Sequence, residues 1–136
     1  MTKKAYLGAR IFDGASWHDD SALIVSGGKV KAIVLASALA ADMEKVTLDG
    51  GILLPGFIDL QGNGGGGVML NDEPNIEGLS RICAAHARFG TTALLPTLIT
   101  DTPETTRAAV EAGKQAKRAN VPGFLGLHLE GPHLSV

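Results

Sequence analysis

One cysteine, Cys83, stands alone, so no internal disulfide can staple this chain. It falls within an Ala-rich helical pattern and reads as a small buried hydrophobe. Lys and Arg form no cluster and the net charge is −2, which leaves nucleic acid little electrostatic footing. No apolar run approaches the roughly 18 to 20 residues of a membrane span. The start, Met1-Thr2-Lys3-Lys4-Ala5-Tyr6, lacks the apolar core of a signal peptide. These absences point to a cytoplasmic chain with no nucleic-acid or membrane partner. Aromatics are also scarce, at 4%, whereas glycine is plentiful at 18 residues. With a 45% hydrophobic content, which excludes a disordered chain, this is the composition of compact α/β packing with many tight loops. A length of 136 residues suits one domain, or part of a larger one.

The first fifty residues read as β. Tyr6 to Phe12 is a short strand turned by Asp13-Gly14, and Ala22 to Val25 with Lys29 to Leu35 forms a hairpin about Gly27-Gly28. Ala36 to Glu44 has room for one or two helical turns, and Val46-Thr47-Leu48 is another strand. The texture changes at Ile52. Residues 52 to 60 are almost continuously apolar, as expected of a parallel strand covered on both faces. A helix is predicted over 74–89, with Gly90 beyond its end, then a buried strand over 91–99. Asp101 or Thr102 caps a second helix with Pro103 in its first turn, and a last strand runs to Glu130. Strand, helix, strand, helix, strand is the order of βαβ crossovers in a parallel sheet. Three such strands cannot close a barrel, so the chain reads as the front of a larger protein.

Polar residues gather at the carboxyl ends of the parallel strands, where α/β folds keep their chemistry. On an extended strand His128 and Glu130 point one way and Leu127 and Leu129 the other. They are either site residues or solvated strand-end residues. Asp59, Gln61 and Asn63 share one face if the extended geometry persists, and either line a polar pocket or satisfy backbone at the strand end. Gly62 to Gly67 formally satisfies G-x-G-x-x-G, but no helix opens on the last glycine and residues 86 to 88 are His-Ala-Arg, which argues against a dinucleotide site. Those glycines more simply let backbone approach a ligand or a neighbouring strand. His86 reads as a packed, hydrogen-bonded core histidine, and His18 and His133 as loop residues.

Pro55-Gly56-Phe57-Ile58-Asp59, followed by the polar pair Gln61 and Asn63, resembles the first barrel strand of the amidohydrolase superfamily. Gly126-Leu127-His128-Leu129-Glu130-Gly131-Pro132, with Gly90-Thr91-Thr92 and Leu95-Pro96-Thr97-Leu98-Ile99-Thr100, narrows the resemblance to the N-acetylglucosamine-6-phosphate deacetylase family. That resemblance implies a metal-dependent (β/α)8 TIM barrel preceded by a small β-sandwich. Residues 1–51 would be the amino-terminal part of the sandwich and 52–136 the first three strands of an incomplete barrel.

It also implies hydrolysis of the acetamide of N-acetylglucosamine 6-phosphate to glucosamine 6-phosphate and acetate, with one divalent metal, zinc or iron, and a homodimer in the intact enzyme. Glu130 corresponds to the metal-binding carboxylate. Gln61 and Asn63 stand where most of the superfamily carries His-x-His; amides are poor ligands for such metals, so the first metal position is expected to be vacant and these side chains, with His128, to contact substrate or water. The two remaining metal-binding histidines and the general acid/base aspartate are expected beyond residue 136, which leaves the 136-residue chain alone inactive. Two other readings stay open: an amidohydrolase acting on a cyclic amide or another amino sugar, and a catalytically inactive fragment that self-associates through bare strand edges.

Overall fold

The structure, a computed structural model, describes residues 3–131 and divides into two compact units, Met1–Pro55 and Gly56–Val136. The first unit is all β. Strands β1 (Lys3–Leu7), β4 (Ser21–Ser26), β5 (Lys29–Leu35) and β6 (Glu44–Thr47) form a sheet in the order β5-β4-β1-β6. A second sheet, β3-β2-β7, is built from β2 (Arg10–Phe12), β3 (Trp17–His18) and β7 (Ile52–Leu53). Ala5 and Ala22 of the first sheet and Ile11 of the second are the unit's buried apolar residues among those described. The expected hairpin forms: Gly27 and Gly28 have φ of +60° and +71°, the pair of left-handed residues that a two-residue turn needs.

The expected strand over 6–12 splits in two at Gly8, where φ is +92° and a Cβ would overlap the Leu48 carbonyl. Ala36–Ala38 makes a single 3-10 turn, less than the helix for which 36–44 has room. The apolar run 52–60 is also not one strand. Ile52 and Leu53 pair with Arg10 and Ile11, whereas Phe57–Gly62 pairs in the other unit; Pro55, which has no N–H to give a ladder, lies between.

The second unit holds a parallel sheet in the order β10-β9-β8, from β8 (Phe57–Gly62), β9 (Thr91–Leu98) and β10 (His128–Leu129), connected through helices α1 (Ile76–Ala87) and α2 (Pro103–Arg118). Asn75 opens α1 by accepting from the Gly78 N–H at 2.8 Å, and Thr102 opens α2 by accepting from the Thr105 N–H at 3.2 Å. Both helices press on one face of the sheet. Leu79, Ile82 and Cys83 of α1 and Ala109, Ala112 and Ala116 of α2 enclose Leu94 and Leu98 of β9. Small residues on α2 let it lie close: a Cβ on Gly113 would sit 2.8 Å from Leu127 Cδ1. The last strand is shorter than its apolar sequence suggests, because Phe124 makes only an isolated bridge to Leu94 before β10 begins. Among the described residues no helix is long and apolar enough to cross a membrane.

Candidate active site

The carboxyl end of the parallel sheet is where the chemistry-bearing side chains meet. Gln61 lies near the end of β8 and Glu130 directly follows β10, with β9 between the two strands. Two inter-strand spacings set those backbones about 9 to 10 Å apart. The two long side chains close that gap: Gln61 Nε2 donates to Glu130 Oε1 at 2.6 Å. The carboxylate is partly exposed, and the bond has the length of a charge-assisted one.

The ladder explains how Gln61 comes to face Glu130. Asp59 pairs with Leu94 and Gly62 with Pro96, three steps on β8 against two on β9, so β8 carries an extra residue there. Strand alternation is broken, and Asp59 does not share a face with Gln61 as expected from unbroken extension. Instead Asp59 Oδ1 accepts from the Gln61 N–H at 3.0 Å. On β9, Leu94 and Leu98 point to the helices, which sends Thr97 and its ladder partner His128 to the opposite face. His128 is half-buried there. Asn63 is exposed beyond the strand end, and no side-chain hydrogen bond holds it among the described residues.

Glu130 is fixed through its backbone on both sides. Its N–H donates to the Leu98 carbonyl at 3.0 Å, and its carbonyl accepts from Thr100 Oγ1 at 2.9 Å. Gly131 follows with φ of +89°, a turn that side chains resist, and a Cβ there would overlap the Thr100 hydroxyl. Asn71, which no motif in the sequence marks, braces the same end of β9. Its Oδ1 accepts from the Ile99 N–H at 3.1 Å, and its Nδ2 donates to the Ile99 carbonyl at 2.9 Å and to Asp101 Oδ2 at 2.8 Å. That bond from Asn71, seconded by the Thr102 N–H, holds the Asp101 carboxyl below its ordinary range. The only signal in the sequence was two Asx residues thirty positions apart, at the ends of consecutive strands.

The other candidates resolve structurally. His86 Nε2 lies 2.8 Å from the Gly64 carbonyl, the packed histidine expected. The glycine run folds on itself, Gly65 and Val68 exchanging backbone bonds at 2.9 and 3.3 Å, and a Cβ on Gly64 would sit 2.6 Å from the Val68 carbonyl oxygen. The glycines serve close backbone approach. Burial pushes the Cys83 thiol up to about 11, which makes it inert as a nucleophile at neutral pH. His133 lies outside the described residues. Among the described residues no three His, Cys, Asp or Glu side chains are grouped to hold a metal, so Glu130 is a lone carboxylate here.

Residues 5–53 match the family model described as the NagA composite domain. Over 131 residues the chain is 43% identical to N-acetylgalactosamine-6-phosphate deacetylase of Shewanella sp. (strain ANA-3), covering 95% of this chain and 33% of that protein. Over 117 residues it is 38% identical to N-acetylglucosamine-6-phosphate deacetylase of Haemophilus influenzae, covering 86% and 31%. The crystal structure of N-acetylglucosamine-6-phosphate deacetylase from Pasteurella multocida superposes with a TM-score of 0.91 at 36% identity, over 98% of this chain and 35% of that one. The chain is similar to the amino-terminal third of these deacetylases. It spans about a third of the length of the curated relatives it matches. The mixed α/β arrangement of sheets and helices matches that of the Pasteurella multocida structure over the length of this chain.

Proposed function

We propose that the protein carrying this chain hydrolyses the acetamide of an N-acetylamino-sugar 6-phosphate, N-acetylglucosamine 6-phosphate first, with a divalent metal ion. The observation that carries this reading is the Gln61–Glu130 bond, which unites the two sequence-predicted positions on one side of one sheet. The donor set fits the cation in part: Glu130 offers a hard oxygen ligand at a strand end, and the rest of the coordination would come from polypeptide outside these 136 residues. When bound, such an ion supplies a water acidic enough to be hydroxide near neutral pH, with a pKa near about 7. Glu130 would hold it; Gln61 orients the carboxylate by donating one hydrogen bond, and Asn63 and His128 are available to substrate or water. In this reading β8, β9 and β10 are the first three strands of a (β/α)8 barrel, residues 1–51 begin a β-sandwich, and the whole protein is a cytoplasmic homodimer.

The 43% identity to a galactosamine-type deacetylase favours a second substrate, the epimeric N-acetylgalactosamine 6-phosphate. Both sugars are therefore assayed. In the metal-loaded full-length protein, acetate release from one of them is expected, and Glu130→Gln should lower kcat/KM by at least about 100-fold, the upper end of what outer-shell partners of a metal cost. Activity of E130Q within threefold of the parent would overturn the assignment of the ligand, and no acetate from either sugar would overturn the function.

A further inference from the structure

Thr97 is wholly buried, yet its hydroxyl is the one buried side-chain polar atom with no hydrogen-bond partner among the described residues. Such groups are uncommon in folded proteins and call for a physical cause. Its place in the sheet supplies one. Thr97 lies on the middle strand, on the face opposite the helices and across the ladder from His128. Gln61 and Glu130 reach each other from the two outer strands, so their bond passes over β9. Gln61 comes from the level of Leu95 and Glu130 from the level of Ile99, which leaves Thr97 beneath the middle of the bridge. By register, Thr97 with its unpaired hydroxyl lies on the strand that the Gln61–Glu130 bond spans. A valine would fill the same volume without leaving a donor unpaired, so the hydroxyl adds nothing to the fold as it stands.

We infer that Thr97 is a substrate-contacting residue, the hydrogen-bond donor that meets the acyl carbonyl oxygen once a ligand parts Gln61 from Glu130. The inference rests on the deacetylase reading of the site and adds a residue to it. On the deacetylase reading the acetamide is the part of the substrate that meets the Glu130 end of the sheet, and Thr97 stands on the neighbouring strand two residues below the level of Glu130. The hydroxyl is left unpaired in the ligand-free fold and paired in the complex, a sacrifice of stability found where binding needs a group kept ready.

The test uses Thr97→Val and Thr97→Ser. In the 136-residue chain, T97V should raise the melting temperature by about 4 °C, since it removes a buried unpaired group without changing volume. In the full-length protein, T97V should lower kcat about 10-fold or more with a smaller change in KM, and T97S should restore it. The shift in melting temperature on adding N-acetylglucosamine 6-phosphate, or its galactosamine epimer, is the arm that needs no turnover; T97V should halve it or abolish it.

A T97V protein that is less stable than the parent, or one that keeps both activity and ligand shift, overturns the inference. So does T97S behaving like T97V, because a hydroxyl kept at this position would then restore nothing. A parent protein that shows a ligand shift but no acetate release overturns the deacetylase reading while leaving Thr97 to be judged on the shift. A parent with no shift from either sugar overturns both.

Discussion

Gly62 offers a sharp test of how the second unit is packed. Its ladder partner is Pro96, and its Cα faces Leu94, a core residue only 1% exposed. A methyl group at position 62 would sit 2.5 Å from Leu94 Cδ1, well inside contact distance. The φ at Gly62 is not in the left-handed region, so Gly62→Ala isolates the steric effect from backbone strain. Overpacking of this kind costs about 1 to 3 kcal/mol. Leu94→Ala alone removes a buried side chain and should cost about 2 to 5 kcal/mol. In the double variant the new methyl occupies space that the leucine has vacated, so the two costs should fall short of their sum by about 1 to 2 kcal/mol.

The readout must report the right unit. Trp17 and Tyr6 both lie in Met1–Pro55, so their fluorescence follows the wrong half of the chain. Both α-helices lie in Gly56–Val136, which makes urea unfolding followed by circular dichroism at the helical band the suitable assay. Strict additivity of G62A and L94A, or a G62A variant as stable as the parent, would refute the claim that β8 sits directly on Leu94.

Two further predictions concern single side chains. The Asp101 carboxyl is held below its ordinary value mainly by Asn71, so this bond adds stability above the unfolded pKa, near 3.8, and loses it as pH falls through the lower folded value. Asn71→Ala should therefore flatten the acid limb of the stability curve, seen as a smaller loss of urea midpoint between pH 5 and about 2; an unchanged limb would refute it. Cys83 is 2% exposed with its thiol pushed up to about 11, so a thiol reagent at pH 8 should label it only after unfolding. Rapid labelling in buffer would show that the core around Ile82 and Leu94 opens readily.

Much of the second unit was legible from periodicity and punctuation. The apolar positions Ile76, Leu79, Ile82 and Cys83 recur at helical spacing, and Asn75, Thr102 and Pro103 mark helix starts by the atoms they offer or lack. What escaped was register. Nothing in Phe57 to Gly62 announces that β8 carries one residue more than β9 between two paired positions, because a bulge is decided by how two strands fit and not by either alone. For the same reason Asp59 was grouped with Gln61, although it spends its carboxylate on the backbone N–H that the irregularity leaves free. The apolar run from Ile52 read as a unit since hydrophobicity is blind to which sheet a strand joins. Strand-end polarity marks Gln61 and Glu130 in the sequence, and family resemblance gives them roles. Their direct bond required the fold, being a contact across 69 positions of sequence.

The brevity of β10 has a consequence for how firmly the site is held. Gln61 belongs to a strand of six residues, whereas Glu130 follows one of two, anchored by the Leu98 carbonyl and the Thr100 hydroxyl. Amide exchange should be slow through β9 and fast at residues 128–130, since opening so short a segment breaks few bonds. One half of the polar pair thus rides on the fold's steady frame and the other on its most easily lifted hem.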